Sequence, residues 1–145
     1  METAALAHAD LEGILAIEAQ AFAGLDPWSR AAFEHELLAP QSLWLVLREG
    51  GTVAGYGGGW VVSGEYHLLN LAVAAGHRRR GWGRRLLDGL LAASVVRGCR
   101  RATLEVRRAN AGARALYEAA GFRAEGARTR YYANGEDAMI YWKDL

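Results

Sequence analysis

Residues 69–91 read LNLAVAAGHRRRGWGRRLLDGLL, and this segment contains three successive patterns. Apolar residues up to Val73 predict a β-strand, and the leucine pairs that begin at Leu86 predict an amphipathic helix. A basic loop with Gly81 and Gly83 lies between them. Backbone N–H groups at a helix N-terminus, freed of side-chain bulk by glycine, bind phosphate groups. The segment therefore predicts a strand, a phosphate-binding loop and a helix.

Other glycine motifs bind phosphate in a similar place, and the spacing of the glycines distinguishes them. A P-loop requires Gly, four residues and then Gly-Lys-Ser or Gly-Lys-Thr, a run that the chain lacks. A dinucleotide fingerprint requires a small residue where Leu86 stands and a first glycine directly after the strand. The acid on the next strand, Glu105, still favours a dinucleotide site. A solvated basic run, common on surfaces and in nucleic-acid binders, also fits the loop taken alone.

Further motifs follow the loop in a specific order. The pattern Arg-x-x-Gly-x-Gly at 78–83 begins the helix, the strand RATLEVR follows at 101–107, and Asn110 precedes the segment ALYEAAGF at 115–122. This order resembles the GCN5-related N-acetyltransferase (GNAT) superfamily. The resemblance implies that the loop binds the pyrophosphate of acetyl-coenzyme A (acetyl-CoA).

Within that superfamily the chain is most similar to the ribosomal-protein N-terminal alanine acetyltransferases, the RimI type. The local matches are Pro-Trp-Ser at 27–29, Leu-Glu-Val-Arg at 104–107 followed by Asn110, and Tyr-Tyr-x-Asn-Gly-Glu-Asp-Ala at 131–138. The resemblance covers nearly the whole chain and implies one N-acetyltransferase domain over residues 1–145. The chain departs from the family pattern at Ala74-Ala75, Trp82 and Leu25-Asp26.

The resemblance gives two side chains a catalytic role. It implies that Glu105 is the general base and that Tyr117 donates a proton to the departing coenzyme A thiolate. The residues alone leave other interpretations open, because a strand glutamate is usually a solvated surface carboxylate. Tyr117 also fits a core tyrosine of an amphipathic helix, close to Leu116 and Phe122.

Binding positions are implied by the resemblance as well. The cofactor-binding residues are Leu71, Ala72, Val73, Arg78, Arg79, Arg80, Gly81, Trp82, Gly83, Arg84 and Asn110. The acceptor-binding residues are Trp28, Tyr131, Tyr132 and Glu136, and each also fits an ordinary rim residue. An N-cap role for the helix that carries Tyr117 is a second explanation of Asn110. The four histidines lack metal-ligand spacing, so we expect no metal.

The pKa of the protonated amine distinguishes between two classes of acceptor. An α-amine is about one-tenth neutral at pH 7, whereas a lysine side chain is neutral only about four times in ten thousand. A weak base such as glutamate, acting through a water molecule, suffices to deprotonate the α-amine. A lysine side chain needs a stronger base. The candidate residues therefore favour an N-terminal α-amine.

Length and composition limit the number of domains and the class of protein. The chain has 145 residues, of which 52% are hydrophobic, and this suits one compact domain. A single cysteine excludes an internal disulfide. The longest uncharged stretch, 50–64, is too short and glycine-rich to span a bilayer, and no signal-peptide pattern begins the chain. We expect a cytoplasmic protein with no membrane partner.

Charge is unevenly distributed, although the net charge is only +1. Residues 1–50 carry eight acidic and two basic groups, whereas residues 51–100 carry two acidic and seven basic groups. The basic centre coincides with the proposed phosphate loop, an arrangement that favours binding of a polyanionic cofactor. The low net charge and the lack of an aromatic and basic ladder disfavour a nucleic-acid partner.

Three functions remain as hypotheses. The leading one is a protein N-terminal α-amine acetyltransferase that uses acetyl-CoA in direct transfer, with the eighteenth protein of the small ribosomal subunit as the acceptor that the resemblance implies. The second keeps the cofactor and acetylates a small-molecule amine. The third is a non-catalytic acyl-CoA-binding module.

The predicted elements give a mixed α/β fold. Helices are expected from Asp10, as N-cap, to about Phe22, from Ser29 to Leu38, and at 82–97 and 111–120. Strands are expected at 43–48, 52–62, 65–73, 101–107, 122–130 and 136–142, and the first three form an antiparallel meander. The resemblance implies a GNAT-like, mostly antiparallel central sheet flanked by helices, in which the family's fourth and fifth strands, here near 66–73 and 101–107, splay apart.

Overall fold

The computed structural model describes residues 1–145 as seven strands and four α-helices. The strands are β1 (Glu2–Ala5), β2 (Ser42–Glu49), β3 (Thr52–Val62), β4 (Glu65–Val73), β5 (Arg101–Arg107), β6 (Arg123–Arg128) and β7 (Ala138–Asp144). The helices are α1 (Leu11–Ala21), α2 (Arg30–Leu38), α3 (Trp82–Val96) and α4 (Ala111–Ala119), with single 3-10 turns at His8–Asp10 and Ala75–His77.

All seven strands form one sheet in the order β1-β2-β3-β4-β5-β7-β6. Every neighbouring pair is antiparallel except β4 and β5, which are parallel. That parallel pairing runs from Glu65 opposite Arg101 to Leu68 opposite Leu104 and goes no further. The later residues of both strands are paired only to their other neighbours, so β4 and β5 splay apart as expected.

A β-bulge in β4 lies at the point where the splay begins. Opposite β3, Gly58 pairs with Asn70 but Gly59 pairs with Leu68, which leaves Leu69 as the extra residue. Gly59 permits this approach, because a Cβ there would overlap the carbonyl oxygen of His67. The extra residue reverses the alternation of side chains along β4. Leu68 therefore packs with α3 and α4, whereas Asn70 faces α1.

Helices cover both faces of the sheet. Leucines of α3, with Tyr117 of α4, pack on Tyr66, Leu68 and Tyr141. On the other face, apolar residues of α1 and Phe33 of α2 pack on strand aromatic residues. Burying these side chains removes apolar area from water and is the main stabilising contribution to the fold.

The predicted helices, the meander and the mixed sheet are confirmed, with small shifts of boundary. Ser29 caps α2 through a 3.1 Å hydrogen bond from the N–H of Ala32. Asp10 stands at the start of α1, but its predicted capping bond is absent. Its carboxylate instead accepts from the N–H of Ala7 and from the guanidinium of Arg48.

Two strand predictions differ from the structure. Strand β1 was not expected, because its sequence ETAA has no alternating apolar pattern, and pairing with β2 forms it. The last strand spans 138–144 instead of 136–142, because the Asp137 carboxylate accepts from the N–H of Arg130 within the preceding loop. No helix in the chain is both long and apolar enough to cross a membrane.

Candidate active site

A cavity of about 850 Å³ opens where β4 and β5 part. Seven of the residues proposed from the sequence line it: Trp28, Leu71, Glu105, Asn110, Tyr117, Tyr131 and Tyr132. They come from three loops, two strands and α4, so only the folded chain brings them together. The remaining proposed positions, at 72–73, 78–84 and 136, lie outside this cavity.

Glu105 is the carboxylate at the cavity wall on β5. Its side chain is 27% exposed, and Oε1 lies 3.0 Å from Nε of Arg128 on β6. Interaction with this carboxylate raises the pKa of the neighbouring Tyr131 hydroxyl. The Glu105 carboxylate thus lies at the cavity surface, beside an arginine and a tyrosine.

Tyr117 presents a protonated hydroxyl to the same cavity. Its ring is buried on α4, in edge-to-face contact with Phe122 at 6.0 Å between centroids. Burial raises the pKa of Tyr117, and the neighbouring Tyr132 raises it further. The hydroxyl therefore keeps its proton well above neutral pH and is suited to donate a hydrogen bond.

Asn110 stands where α4 begins, beside the cavity. Its Oδ1 accepts from the N–H of Ala113 at 3.1 Å, so the N-cap role expected from the sequence is confirmed. The cap fixes the first turn of α4 and, through it, the direction in which Tyr117 leaves the helix.

The glycine loop forms the N-terminus of α3, beyond the end of β4. Gly81 is the N-cap residue in a left-handed conformation, with φ of +83°, and Arg79 also has a positive φ. The first helical N–H groups therefore point out of α3 without intrahelical acceptors, as at every helix start. Arg78 anchors the loop, since its Nε donates to the carbonyl of Val73 at 3.0 Å.

Arginine side chains surround this helix start. Arg79 and Arg80 are exposed, and Arg85 lies over the ring of Trp82 at 5.4 Å. Arg84 is held by Asp88 and by the carbonyl of Ala119. The helix N-terminus and the arginines together attract an anion.

Two loops enclose the opposite end of the cavity. The loop between α1 and α2, residues 22–29, contributes Trp28, which packs against Phe33 and Trp44. The loop between β6 and β7, residues 129–137, contributes Tyr131 and Tyr132, which contact each other edge to face. We call these the first and the second acceptor loop, after the acceptor-binding residues that the sequence analysis proposes in them.

Glu18 is a site residue that the sequence did not identify. It occurs among the apolar residues at helical spacing on α1, and it is 1% exposed. Its carboxylate accepts from the Tyr56 hydroxyl, from Nδ2 of Asn70 at 2.7 Å and from the N–H of Trp28 at 2.8 Å. Glu18 therefore connects the first acceptor loop to the bulge of β4.

Two arginines that lie at the site, Arg107 and Arg128, were also not identified from the sequence. Each was one arginine among sixteen, and no local pattern separated them from surface arginines. In the structure, Arg128 pairs with Glu105, and Arg107 lies between the two acceptor loops. Glu136, which the resemblance proposes as an acceptor-binding residue, pairs with Arg107 at 3.7 Å.

A carboxylate, a tyrosine hydroxyl and a candidate anion site are thus arranged along one path. The anion site lies at the start of α3, β4 runs from it to the splay, and the cavity there holds Glu105 and Tyr117. This arrangement can bind a long phosphorylated ligand and transfer protons at its far end. No group of three or more His, Cys, Asp or Glu side chains is arranged to hold a metal ion.

Comparison with known proteins gives a consistent result. The family model described as Acetyltransferase (GNAT) family matches residues 11–122. The chain is 41% identical to N-alpha-acetyltransferase RimI of Mycobacterium tuberculosis, over 97% of this chain and 90% of that protein. It is 37% identical to the [Ribosomal protein bS18]-alanine N-acetyltransferase of Escherichia coli strain K12, over 90% of this chain and 88% of that protein.

Solved structures agree with the sequence relatives. The crystal structure of the ribosomal-protein-S18-alanine N-acetyltransferase from Escherichia coli superposes with a TM-score of 0.88 at 35% identity. The match covers 99% of this chain and 93% of that chain.

Proposed function

The chain belongs to the acetyltransferase (GNAT) family, and from this premise we propose that it transfers the acetyl group of acetyl-CoA to the α-amine of a protein that begins with alanine. The acceptor is the eighteenth protein of the small ribosomal subunit, bS18, for which the relative from Escherichia coli is named. A ribosomal acceptor assigns the reaction to the cytoplasm. Residues 1–145 act as one N-acetyltransferase domain.

One observation carries the proposal. Glu105 and Tyr117 line the same cavity at the splay, although they lie on different elements. Amide formation from an ammonium group and a thioester needs a group that takes a proton and a group that gives one. These two residues supply both within one cavity.

The chain's own residues fit acetyl-CoA along the path described above. The N–H groups at the start of α3 and the surrounding arginines suit its diphosphate. The gap beside Leu71 suits the pantetheine arm, since β4 has no partner on that side after Leu68. When bound, the cosubstrate supplies a thioester whose carbon–sulfur bond breaks as the carbon–nitrogen bond forms.

Glu105 takes a proton from the acceptor ammonium, through a water molecule, so that the neutral amine can attack. Arg128 holds the carboxylate at the cavity wall. Tyr117 donates a hydrogen bond to the departing sulfur. Complete transfer of its proton is uphill by about 2 kcal/mol on ordinary pKa values, so the two atoms share it. Because burial raises the pKa of Tyr117, complete transfer of its proton to the sulfur is still less favourable.

The acceptor peptide enters between the two acceptor loops. Trp28 forms one wall, and Tyr131 and Tyr132 form the other. Aromatic side chains lose little conformational entropy on binding and offer large contact areas. The carboxylate of Glu105 attracts the positive N-terminus towards the end of the cavity.

Mass spectrometry tests the proposal directly. An alanine-starting peptide that contains one internal lysine is incubated with the protein and acetyl-CoA, and fragmentation locates the added acetyl group. The matched control is the same peptide with a blocked N-terminus. We expect acetylation of the free α-amine and none of the blocked peptide. Acetylation of lysine or of small amines alone would contradict the proposal, and binding of acetyl-CoA without any transfer would favour a non-catalytic module.

A further inference from the structure

We infer that Arg107 is a positioning residue that ties the two acceptor loops together and thereby sets the affinity for the acceptor peptide. The inference rests on the proposed function, because it concerns the acceptor side of the same cavity. Arg107 is the last residue of β5 and belongs to the cavity lining. Its side chain is only 17% exposed, which is low for an arginine at a strand end.

Arg107 first binds the second acceptor loop. Its Nη1 donates to Oδ1 of Asn134 at 3.1 Å and lies 3.7 Å from the Glu136 carboxylate. The guanidinium carbon lies 3.9 Å from the centre of the Tyr132 ring. This loop therefore receives a hydrogen bond, an ion pair and a cation–π contact from one side chain.

The other arm of the guanidinium reaches the first acceptor loop. Its Nη2 donates to the carbonyl oxygen of Leu25 at 3.4 Å, across 82 residues of sequence. Leu25 is itself held, because its N–H donates to the carbonyl of Phe22 at 2.9 Å. The two Nη atoms of one residue thus fix the positions of two loops that face each other across the cavity.

Arginine suits this position for a geometric reason. The guanidinium is planar, so it can lie against an aromatic ring while its edge donates hydrogen bonds in two directions. A lysine at the same place keeps the positive charge, but it offers a single nitrogen and no plane. The conservative substitution Arg107→Lys therefore removes the tie and retains the charge.

The tie acts on the acceptor rather than on acetyl-CoA. The side-chain hydrogen bonds, ion pair and cation–π contact of Arg107 go to loops 22–29 and 129–137, and none goes to the glycine loop at 78–84. Loss of the tie frees two loops that the acceptor must then order when it binds. The expected consequence is weaker acceptor binding with unchanged acetyl-CoA binding.

Arg101 on the same strand provides a matched control. It also lies over an aromatic ring, that of Trp142 at 4.1 Å, and it also approaches two carboxylates, those of Glu65 and Asp144. It lies six residues earlier on β5, roughly 20 Å away at the usual rise per residue, and it is not part of the cavity lining. Arg101→Lys therefore repeats the chemical change away from the acceptor.

The experiment compares wild-type protein, Arg107→Lys and Arg101→Lys. Steady-state kinetics with an alanine-starting peptide gives KM and kcat, calorimetry gives the Kd of acetyl-CoA, and hydrogen exchange follows both acceptor loops. We expect Arg107→Lys to raise the acceptor KM roughly tenfold, with acetyl-CoA affinity within about twofold of wild type. Exchange should accelerate in both acceptor loops. Arg101→Lys should change none of these quantities.

The outcomes separate this inference from the proposed function. A wild-type protein that acetylates no alanine-starting peptide would overturn the proposed function. An active wild-type protein whose Arg107→Lys variant keeps the acceptor KM would overturn this inference alone. Equal effects of Arg107→Lys and Arg101→Lys, or parallel loss of acetyl-CoA binding, would reduce Arg107 to a general structural role and would also overturn it.

Discussion

Nδ2 of Asn70 on β4 donates a hydrogen bond of 2.7 Å to Oε1 of Glu18 on α1, across 52 residues of sequence. The bond exists because the bulge at Leu69 turns Asn70 towards α1, the face opposite to that of Leu68. Oδ1 of the same asparagine accepts from the N–H of Leu71 at 3.0 Å. Asn70 therefore links the buried carboxylate to the strand segment beside the splay.

Asn70→Ala should destabilise the chain. It removes one donor from a buried carboxylate and the acceptor of the Leu71 N–H, and each unsatisfied buried group costs about 1–3 kcal/mol. Urea unfolding measures the change. Tyr56→Phe removes a second donor to Glu18, so the double variant should deviate from additivity. Additive effects would contradict a coupled network around Glu18.

Glu105→Gln should lower turnover by ~10²-fold or more and leave acetyl-CoA affinity nearly unchanged, because in the proposed mechanism it removes only the proton acceptor. Single-turnover kinetics and calorimetry measure the two quantities. The control is Glu125→Gln on β6, an exposed glutamate outside the cavity lining. Undiminished turnover in Glu105→Gln would remove this residue from the mechanism.

Tyr117→Phe should lower kcat by roughly 10²-fold. In the wild-type protein, burial raises the pKa of Tyr117, so the acid keeps its proton while the acceptor amine becomes neutral. The rate should therefore rise with pH towards the amine pKa of about 8 and show no descending limb up to about pH 10. The control Tyr66→Phe removes another buried hydroxyl, which donates to the carbonyl of Leu43. Unimpaired kinetics with a lower Tm in Tyr117→Phe would indicate a core tyrosine only.

Gly81→Ala and Gly83→Ala should have different effects on stability. Gly81 has a positive φ, so alanine there is strained by about 1–2 kcal/mol even though its Cβ meets nothing within 4 Å. A Cβ at Gly83 makes only ordinary contacts, at 3.7 Å to Leu116 and 3.8 Å to Val73. Alanine at 83 should keep or raise the Tm, yet it should weaken acetyl-CoA binding if the diphosphate lies on the adjacent N–H groups.

Gly112→Ala is the control for that pair, because Gly112 occupies the same position of α4 that Gly83 occupies in α3 and a Cβ there meets nothing within 4 Å. Calorimetry should show unchanged acetyl-CoA binding in this variant. Equal binding by Gly83→Ala and Gly112→Ala would place the diphosphate elsewhere.

Asp10→Asn should change the response to acid. Burial raises the pKa of Asp10, but hydrogen bonds from Arg48 and from the N–H of Ala7 outweigh it, so the folded pKa is lowered. The carboxylate therefore contributes stability that is complete above its unfolded pKa of about 3.9 and is lost as the pH falls through the lower folded value. The variant should be less stable at pH 7 and lose less stability on acidification, as thermal unfolding between pH 7 and pH 3 would show. If the Tm of the variant and that of the wild-type protein fell equally with pH, the proposed contribution of the Asp10 carboxylate would be contradicted.

Local sequence patterns encode most of the secondary structure and the outline of the site. Apolar periodicity, the glycine turns and Ser29 located the helices and the meander, because each depends on residues close in sequence. The order of motifs from Arg78 to Phe122 indicated the family, and it singled out Glu105 and Tyr117, which share one cavity. These features are encoded locally, in backbone preferences and short spacings.

Contacts between groups that are distant in sequence depend on the assembled sheet and loops. The bulge at Leu69 arises from pairing with β3 and reverses the face of every later side chain on β4, and no local pattern predicts such a reversal. The contact of Asn70 with Glu18 and the bond from Arg107 to Leu25 follow only once the sheet and loops are assembled. Local sequence sets backbone angles and the burial pattern, whereas the partners of a buried charge depend on packing across the whole sheet.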